Sequence, residues 1–158
     1  MTVKNILVAT DFGEASDGAV VLARQLAQMF GSTLHVLHVA GNVVAGAVGV
    51  EGYTTDFAAL QREVEEAARR QLDATITEED RRTLGARAVV RTSASPAQSI
   101  VSYVKNEHID LVVLGIHAPG EARPLMGSVA ERVLQLAPCP VLTVRHQVQE
   151  PQAESRHD

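Results

Sequence analysis

Two short stretches of the sequence hold residue types suited to binding a phosphorylated ligand. The first, Gly127-Ser128, directly precedes an apolar helical stripe. Free backbone amides and the positive end of a helix dipole favour an anion there, and phosphate is the obvious one. Gly127 would let the backbone approach the phosphate, while the Ser128 hydroxyl and the Val129 amide would bind its oxygens. The alternative is that Ser128 only caps its helix, in a capping box with Glu131.

The second stretch is Thr10-Asp11, which ends the apolar run Ile6-Leu7-Val8-Ala9. A carboxylate accepts hydrogen bonds and binds hard cations. Asp11 is therefore suited to accept from a ribose hydroxyl or to hold a metal ion beside phosphates. The alternative is that Asp11 caps the next helix, with Glu14 completing a capping box. The sequence leaves both roles open.

Motifs for several other activities are missing from the sequence. No Gly-Lys-Ser/Thr marks a P-loop, and no Gly-x-Gly-x-x-Gly follows a strand, so dinucleotide binding has no support. His35 and His38 are three residues apart on a predicted strand and therefore face opposite sides, where they cannot share a metal ion. Cys139 is the only cysteine, which excludes an intrachain disulfide and a zinc site of several cysteines. We expect no metal site and no catalytic cluster.

The composition narrows the class of protein further. The chain has 158 residues, 46% of them hydrophobic, and its 14 basic and 19 acidic residues give a net charge of −5. This length favours one domain. The negative charge argues against a nucleic-acid partner, which needs a concentrated basic surface. The apolar stretch at residues 36–50 is interrupted and falls short of the ~18 apolar residues of a membrane helix. We expect a cytoplasmic protein with no membrane partner.

A regular alternation of strands and helices must position these residues. Apolar runs rich in branched residues predict strands at residues 6–9, 34–39, 88–90, 109–114 and 141–144. Helical periodicity predicts helices at about 14–30, 57–72, 96–106 and 128–136. Gly31 and Gly115 are expected to end the first helix and the fourth strand. Asp56, and a Ser95–Gln98 capping box, are expected to start the second and third helices.

This alternation predicts an α/β fold, a doubly wound, Rossmann-like open sheet of five parallel strands in the order 3-2-1-4-5 with four helices. Residues 1–145 form this single domain, and residues 146–158 are expected to be a disordered polar tail. Such sheets bind ligands beyond the strand ends where the order reverses, so the loops at residues 10–14 and 115–128 are the expected binding loops. The long glycine-rich segment at residues 40–53 is expected to be a flap over this crevice.

Four motifs carry a resemblance to a known family. They are Ile6-Leu7-Val8-Ala9-Thr10-Asp11, Leu34-His35-Val36-Leu37-His38-Val39, Asp110-Leu111-Val112-Val113-Leu114-Gly115-Ile116-His117, and Gly127-Ser128-Val129-Ala130-Glu131 followed by Ala137-Pro138-Cys139-Pro140-Val141-Leu142. Together they resemble the universal stress protein family over nearly all of residues 3–145. The resemblance implies a homodimer joined through the last strand, Val141 to Arg145. It also implies an adenine nucleotide as the ligand, ATP or AMP, with or without Mg²⁺.

The resemblance further implies a role for each matching residue. Thr10 and Asp11 would lie near the ribose and adenine, and the Val39 backbone would meet the adenine edge. The other implied site residues are Ala9 in the base pocket, Gly115, Gly127, Ser128 and Val129 around the phosphates, and Ala118 and Arg123 in the intervening loop, where Arg123 would neutralise a phosphate.

The phosphate loop departs from the family pattern, which is a glycine, two residues, a glycine, nine residues and then Gly-Ser or Gly-Thr. Gly115 and Gly127-Ser128 match, but Ala118 replaces the second glycine, and residues 119–126 supply eight spacer residues instead of nine. The sequence is therefore compatible with three functions. The first is a regulatory or protective stress-response dimer that binds an adenine nucleotide, with at most weak ATP hydrolysis. The second is the same dimer without nucleotide, acting through protein contacts. The third is an ATPase or nucleotidyl transferase, which the lack of an acid–base cluster disfavours.

Overall fold

The computed structural model describes residues 1–46, 56–117 and 126–146. Its elements in chain order are β1 (Asn5–Ala9), α1 (Glu14–Phe30), β2 (Thr33–Ala40), α2 (Val43–Gly46), α3 (Phe57–Thr75), α4 (Glu78–Leu84), β3 (Arg87–Thr92), α5 (Pro96–Asn106), β4 (Leu111–Ile116), α6 (Ser128–Leu136) and β5 (Val141–Arg145). Residues 47–53 of the predicted flap and 147–158 of the predicted tail lie outside the described residues. Within the described ranges, no helix has the length and apolar character needed to cross a membrane.

The five strands form one parallel sheet in the order β3-β2-β1-β4-β5, which confirms the predicted fold and strand order. The central strand, β1, ends at Ala9, opposite Leu37 of β2 and Leu114 of β4. Its two neighbours continue past this point, to Ala40 and Ile116. The sheet therefore has a notch at the carboxyl end of β1, at the place where the strand order reverses.

Helices cover both faces of the sheet, which explains why its central strands are uninterrupted apolar runs. Alternate residues of β1 point to opposite faces. Ile6 and Val8 pack into a core with α1, whereas Leu7 packs into a second core with Ile100 of α5 and Val133 of α6. Both cores reach the notch, so its walls are held by buried side chains.

The described residues contain six helices, two more than predicted. α2 is a single turn within the predicted flap, where the Ala45 amide donates to Asn42 Oδ1 at 3.0 Å. α4 starts with a capping box, in which the Asp80 amide donates to Thr77 Oγ1 and the Thr77 amide donates to Asp80 Oδ2, each at 3.0 Å. These local side-chain bonds make a helix from a polar segment that has no apolar stripe to reveal it.

Asp80 also ties α4 to α1. Its two carboxylate oxygens each lie 2.9 Å from Nε of Arg24, whose Nη2 donates to the Thr75 carbonyl at 2.9 Å. Asp80 is only 3% exposed. Burial by itself would raise the pKa of Asp80, but hydrogen bonds from Thr77 and Arg24 outweigh burial and lower it. We call this group of Arg24, Thr75, Thr77 and Asp80 the Arg24–Asp80 anchor.

The predictions that Gly31 ends the first helix and that Asp56 starts the helix now labelled α3 are confirmed. Gly31 adopts the left-handed conformation with φ 64° at the end of α1, which a glycine adopts without steric cost. Asp56 Oδ1 accepts from the Ala59 amide at 3.0 Å at the start of α3.

None of the three capping boxes forms, neither the one predicted at Ser95–Gln98 nor those given as the alternative roles of Asp11 and Ser128. Gly13, not Asp11, is the N-cap of α1, because a turn at residues 12 and 13 delays the helix. Gly127, not Ser128, is the N-cap of α6, because the chain is already helical at Ser128. Ser95 is the N-cap of α5, but its side chain makes no capping hydrogen bond.

Candidate functional site

A cleft of about 320 Å³ opens at the notch beyond β1. The carboxyl ends of β1, β2 and β4 and the first turns of α1, α5 and α6 form it, at the place where sheets of this topology bind ligands. Eight of the ten predicted site residues line the cleft: Ala9, Thr10, Asp11, Val39, Gly115, Gly127, Ser128 and Val129. The other two, Ala118 and Arg123, lie outside the described residues.

The cleft has further lining residues that sequence reasoning missed. Pro96 and Ile100 of α5 add an aliphatic wall, and Ser16 and His38 add polar groups. Each helix after a parallel strand begins at the carboxyl edge of the sheet, so the position of Pro96 was available from the topology. Ser16 carries no comparable signal, because its place beside Asp11 depends on the turn between them.

The backbone of Val39 presents a donor and an acceptor to the cleft. The Leu37 carbonyl accepts from the amide of Thr10, directly after β1, at 2.9 Å, and the Ala40 carbonyl accepts from the Ser93 amide beyond β3 at 3.1 Å. In a parallel strand the N–H and C=O of one residue point to the same side, and that side alternates along the strand. The backbone N–H and C=O of Val39 therefore point to the same side as those of Leu37, toward β1. At the level of Val39, however, β1 has already ended. Within the described residues no group bonds the N–H or C=O of Val39, which leaves both available to a ligand.

Asp11 is held by the turn that precedes α1. Its Oδ1 accepts from the Gly13 amide and from the Ser16 hydroxyl, each at 2.9 Å. Partial burial acts to raise the pKa of Asp11. The hydrogen bonds from Gly13 and Ser16, assisted by the nearby His117, outweigh this and lower it. Asp11 is thus a fixed, charged acceptor at the cleft.

The same turn contains a strained residue. Phe12 has φ 64°, an unusual value for a bulky side chain, and its neighbours fix it there. The Phe12 amide donates to Thr10 Oγ1 at 3.0 Å, and the Phe12 ring packs on the His38 ring with centroids 4.4 Å apart. His38 Nδ1 donates to the Thr10 carbonyl at 2.8 Å. Thr10 and His38 together set the path of the loop that carries Asp11.

The two glycines at the cleft have different structural roles. A Cβ on Gly115 would lie 2.0 Å from the Ala15 carbonyl oxygen, so only glycine lets α1 pack against β4 at this point. The expectation that Gly115 ends the strand is wrong, because β4 continues to Ile116. A Cβ on Gly127 would meet no atom within 4 Å, and its φ of −72° suits any residue. Packing within the described residues thus explains why position 115 is a glycine but gives no steric reason for a glycine at position 127.

The first turn of α6 offers backbone donors to the cleft. No side chain of the described residues caps this turn, and Ser128 and Val129 are exposed at its surface. The first amides of a helix have no carbonyl partner within the helix and lie at the positive end of its dipole. This arrangement suits an anionic group.

Other residues noted in the sequence lie elsewhere. His35 faces away from His38, as predicted, and its Nδ1 pairs with the Tyr103 hydroxyl at 2.8 Å in the core. Cys139 is half-buried just before β5, and burial raises the pKa of its thiol. His117 lines the cleft. The described ranges hold no group of three or more side chains able to ligate a metal ion.

Comparisons with known proteins identify relatives of this chain and structures that share its fold. The model of the universal stress protein family matches residues 2–145. A universal stress protein of Thermus aquaticus is 32% identical over 147 residues, which cover 90% of this chain and 98% of that protein.

Two solved structures of universal stress proteins share the fold. One, in complex with cAMP, has a TM-score of 0.57 at 18% identity and covers 93% of this chain and all of that chain. The other, from Archaeoglobus fulgidus in complex with dAMP, has a TM-score of 0.54 at 19% identity and covers 90% of this chain and 98% of that chain.

Proposed function

Because the chain belongs to the universal stress protein family, we propose that it binds an adenine nucleotide, ATP or AMP, in the cleft beyond β1. It acts as a regulatory or protective module of the stress response rather than as an enzyme. The observation that carries this proposal is the free N–H and C=O pair of Val39 in a largely aliphatic cleft. Position 6 of adenine donates and N1 accepts, so the base edge matches that pair. The cAMP and dAMP complexes of the two solved family members support the choice of base.

The rest of the nucleotide is accommodated by the other cleft groups. The Asp11 carboxylate accepts from a ribose hydroxyl, and the first-turn amides of α6 bind the phosphates. Within the described residues, no group of three or more His, Cys, Asp or Glu side chains could hold a metal ion. The expected behaviour is binding without efficient turnover.

The proposed module is a homodimer joined through β5, Val141–Arg145. β5 lies at one edge of the sheet and carries the exposed apolar side chain of Leu142. An exposed edge strand has unpaired backbone groups, which a second copy of the chain would cover.

A second candidate function is the same dimer without nucleotide, working through protein contacts. It is favoured by the alanine at position 118 and by the loop that is one residue shorter than the family pattern. In the family pattern this loop binds the phosphates, so both changes bear on phosphate binding, whereas Val39 and Asp11 lie outside the loop.

The nucleotide proposal is tested by denaturing the purified protein and identifying released nucleotide, then by titrating ATP and ITP calorimetrically. Hypoxanthine reverses the hydrogen-bonding pattern at positions 1 and 6, so ITP should bind roughly tenfold more weakly than ATP, or worse. Gly127→Trp fills the cleft and should abolish binding, whereas Gln28→Trp, exposed at the far end of α1, should not. Equal binding of ATP and ITP contradicts the role of Val39.

Two separate experiments test the expected lack of ATP turnover and the expected dimer. Phosphate release from ATP should not exceed that of Gly127→Trp, and faster release would make the protein an ATPase. Sedimentation at micromolar concentration should give twice the chain mass of 16.9 kDa. A particle of one chain mass contradicts the dimer.

A further inference from the structure

Ser16 is a buried hydroxyl at the cleft that the proposed nucleotide contacts do not use. It is 5% exposed and lies in the first turn of α1. Its Oγ lies 2.9 Å from Asp11 Oδ1, 2.9 Å from the Gly13 carbonyl and 3.1 Å from Thr10 Oγ1. A hydroxyl has one hydrogen to donate, so these three contacts compete for it.

The other hydrogen bonds decide where the Ser16 hydrogen points. The Gly13 carbonyl already accepts from the amides of Ser16 and Asp17, each at 3.1 Å. Asp11 is a charged carboxylate and therefore the stronger acceptor. Thr10 Oγ1 accepts from the Phe12 amide, which leaves the Thr10 hydrogen to be donated to Ser16. The chain of donors thus runs from Phe12 through Thr10 and Ser16 to Asp11.

Among the described residues, this chain of donors bonds one oxygen of Asp11 and leaves the other without a hydrogen bond. Oδ1 receives two hydrogen bonds, from the Gly13 amide and the Ser16 hydroxyl. Within the described residues, Oδ2 receives none. Because Oδ1 is fixed from two directions, the carboxylate cannot rotate freely about its last torsion, and Oδ2 keeps one orientation at the surface of the cleft.

We propose that Ser16 is a positioning residue that orients Asp11 so that its Oδ2 accepts a hydrogen bond from a sugar hydroxyl of the ligand. This inference rests on the proposed nucleotide site. Ser16 acts only through Asp11, so its effect depends on whether the ligand carries the hydroxyl groups. The site then distinguishes a ribose from a sugar without 2′- and 3′-hydroxyls, through a side chain that the ligand need not touch.

The first test uses the protein without ligand. A titration of Asp11 followed by carboxyl ¹³C NMR should show a higher pKa in Ser16→Ala than in the wild type, because a hydrogen bond to the charged form is lost. Ser32→Ala is the matched control. Ser32 is also buried, and its hydroxyl donates to the Val3 carbonyl at 2.6 Å, away from the cleft. An Asp11 pKa that is unchanged in Ser16→Ala overturns the proposal.

The second test compares ATP with 2′,3′-dideoxy-ATP by calorimetry. Ser16→Ala should weaken ATP binding by about tenfold and leave dideoxy-ATP binding unchanged. Asp11→Asn should show the same pattern, and Ser32→Ala should affect neither ligand. Thermal melting verifies that each variant is folded. Equal weakening of both ligands by Ser16→Ala overturns the positioning role, because a general loss of structure does not depend on hydroxyl groups.

The two tests separate this inference from the function it rests on. If the wild type binds neither nucleotide, the proposed function fails, and the titration alone decides whether Ser16 controls Asp11. If ATP binds and the titration shows no change, the function stands and the role of Ser16 is overturned.

Discussion

Two carboxylates of this protein, Asp80 and Asp11, are both held in their charged form, but their oxygens are occupied differently. Both oxygens of Asp80 are used by Arg24, and one also by the Thr77 amide. In the part of the chain that the structure describes, Asp11 accepts through Oδ1 alone, from donors on its own turn. Asp80, with both oxygens hydrogen-bonded, holds helices together, whereas Asp11, with hydrogen bonds to one oxygen, faces the cleft.

The two glycines of the cleft show the same contrast. Gly115 is enclosed by the backbone of α1, and Gly127 has open space around it. The close packing around Gly115 indicates a structural role. The open space beside Gly127 is available to a ligand.

The largest effect that would sharpen the comparison is expected from Asp80→Ala. Removing one partner leaves the Arg24 guanidinium, largely buried, without its counter-charge, so we expect a loss of about 3 kcal/mol in the free energy of unfolding. Asp73→Ala breaks the exposed Arg81–Asp73 pair and should cost less than about 1 kcal/mol. Urea unfolding measures both. Equal losses would show that the Arg24–Asp80 anchor is no more than a surface ion pair.

A smaller effect is expected from the glycines. Gly115→Ala forces α1 away from β4 and should cost about 1–3 kcal/mol, the usual range for an overpacked core. Gly127→Ala meets no atom and should change the free energy of unfolding by less than about 0.5 kcal/mol. Chemical denaturation of the two variants in parallel gives the answer. A destabilised Gly127→Ala would contradict the contrast between the two positions.

The smallest effect is the pH dependence of stability. The pKa of Asp80 is lower in the folded state than its usual value of 3.8. Its contribution is therefore present above pH 3.8 and is lost as the pH falls through the folded pKa. The advantage of the wild type over Asp80→Asn should shrink as urea unfolding is repeated from pH 5 downwards. The same series for Asp11→Asn should show a smaller change, because Asp11 is exposed; a larger one reverses the comparison.

The sequence predicted the strands and their order because each strand is an apolar run between turn signals. The predicted strand order also located the cleft, since ligands bind where the order reverses, and in this sheet it reverses at β1. The predicted helix starts near Glu14 and Ser128 are confirmed. The capping roles left open for Asp11 and Ser128 do not form, because the turn at Phe12 and the helical conformation of Ser128 make Gly13 and Gly127 the N-caps. α4 was missed because Thr77 and Asp80 start it without an apolar stripe.

The finer parts of the site depend on three-dimensional arrangement. Among the described residues, the N–H and C=O of Val39 have no partner because β1 stops at Ala9 while β2 continues to Ala40. Ser16 reaches Asp11 only because Phe12 adopts a left-handed conformation. Neither fact follows from residue type or periodicity.

The position of β1 has a consequence for how the chain folds. β1 pairs with β2 soon after it in sequence, but its pairing with β4 joins Ile6 to Leu111, which are 105 positions apart. Closing so long a loop is slow and entropically costly, so this pairing is expected late in folding. Both walls of the cleft exist only after that step. A nucleotide would therefore stabilise only chains that have completed their sheet, and ligand binding would report that folding has finished.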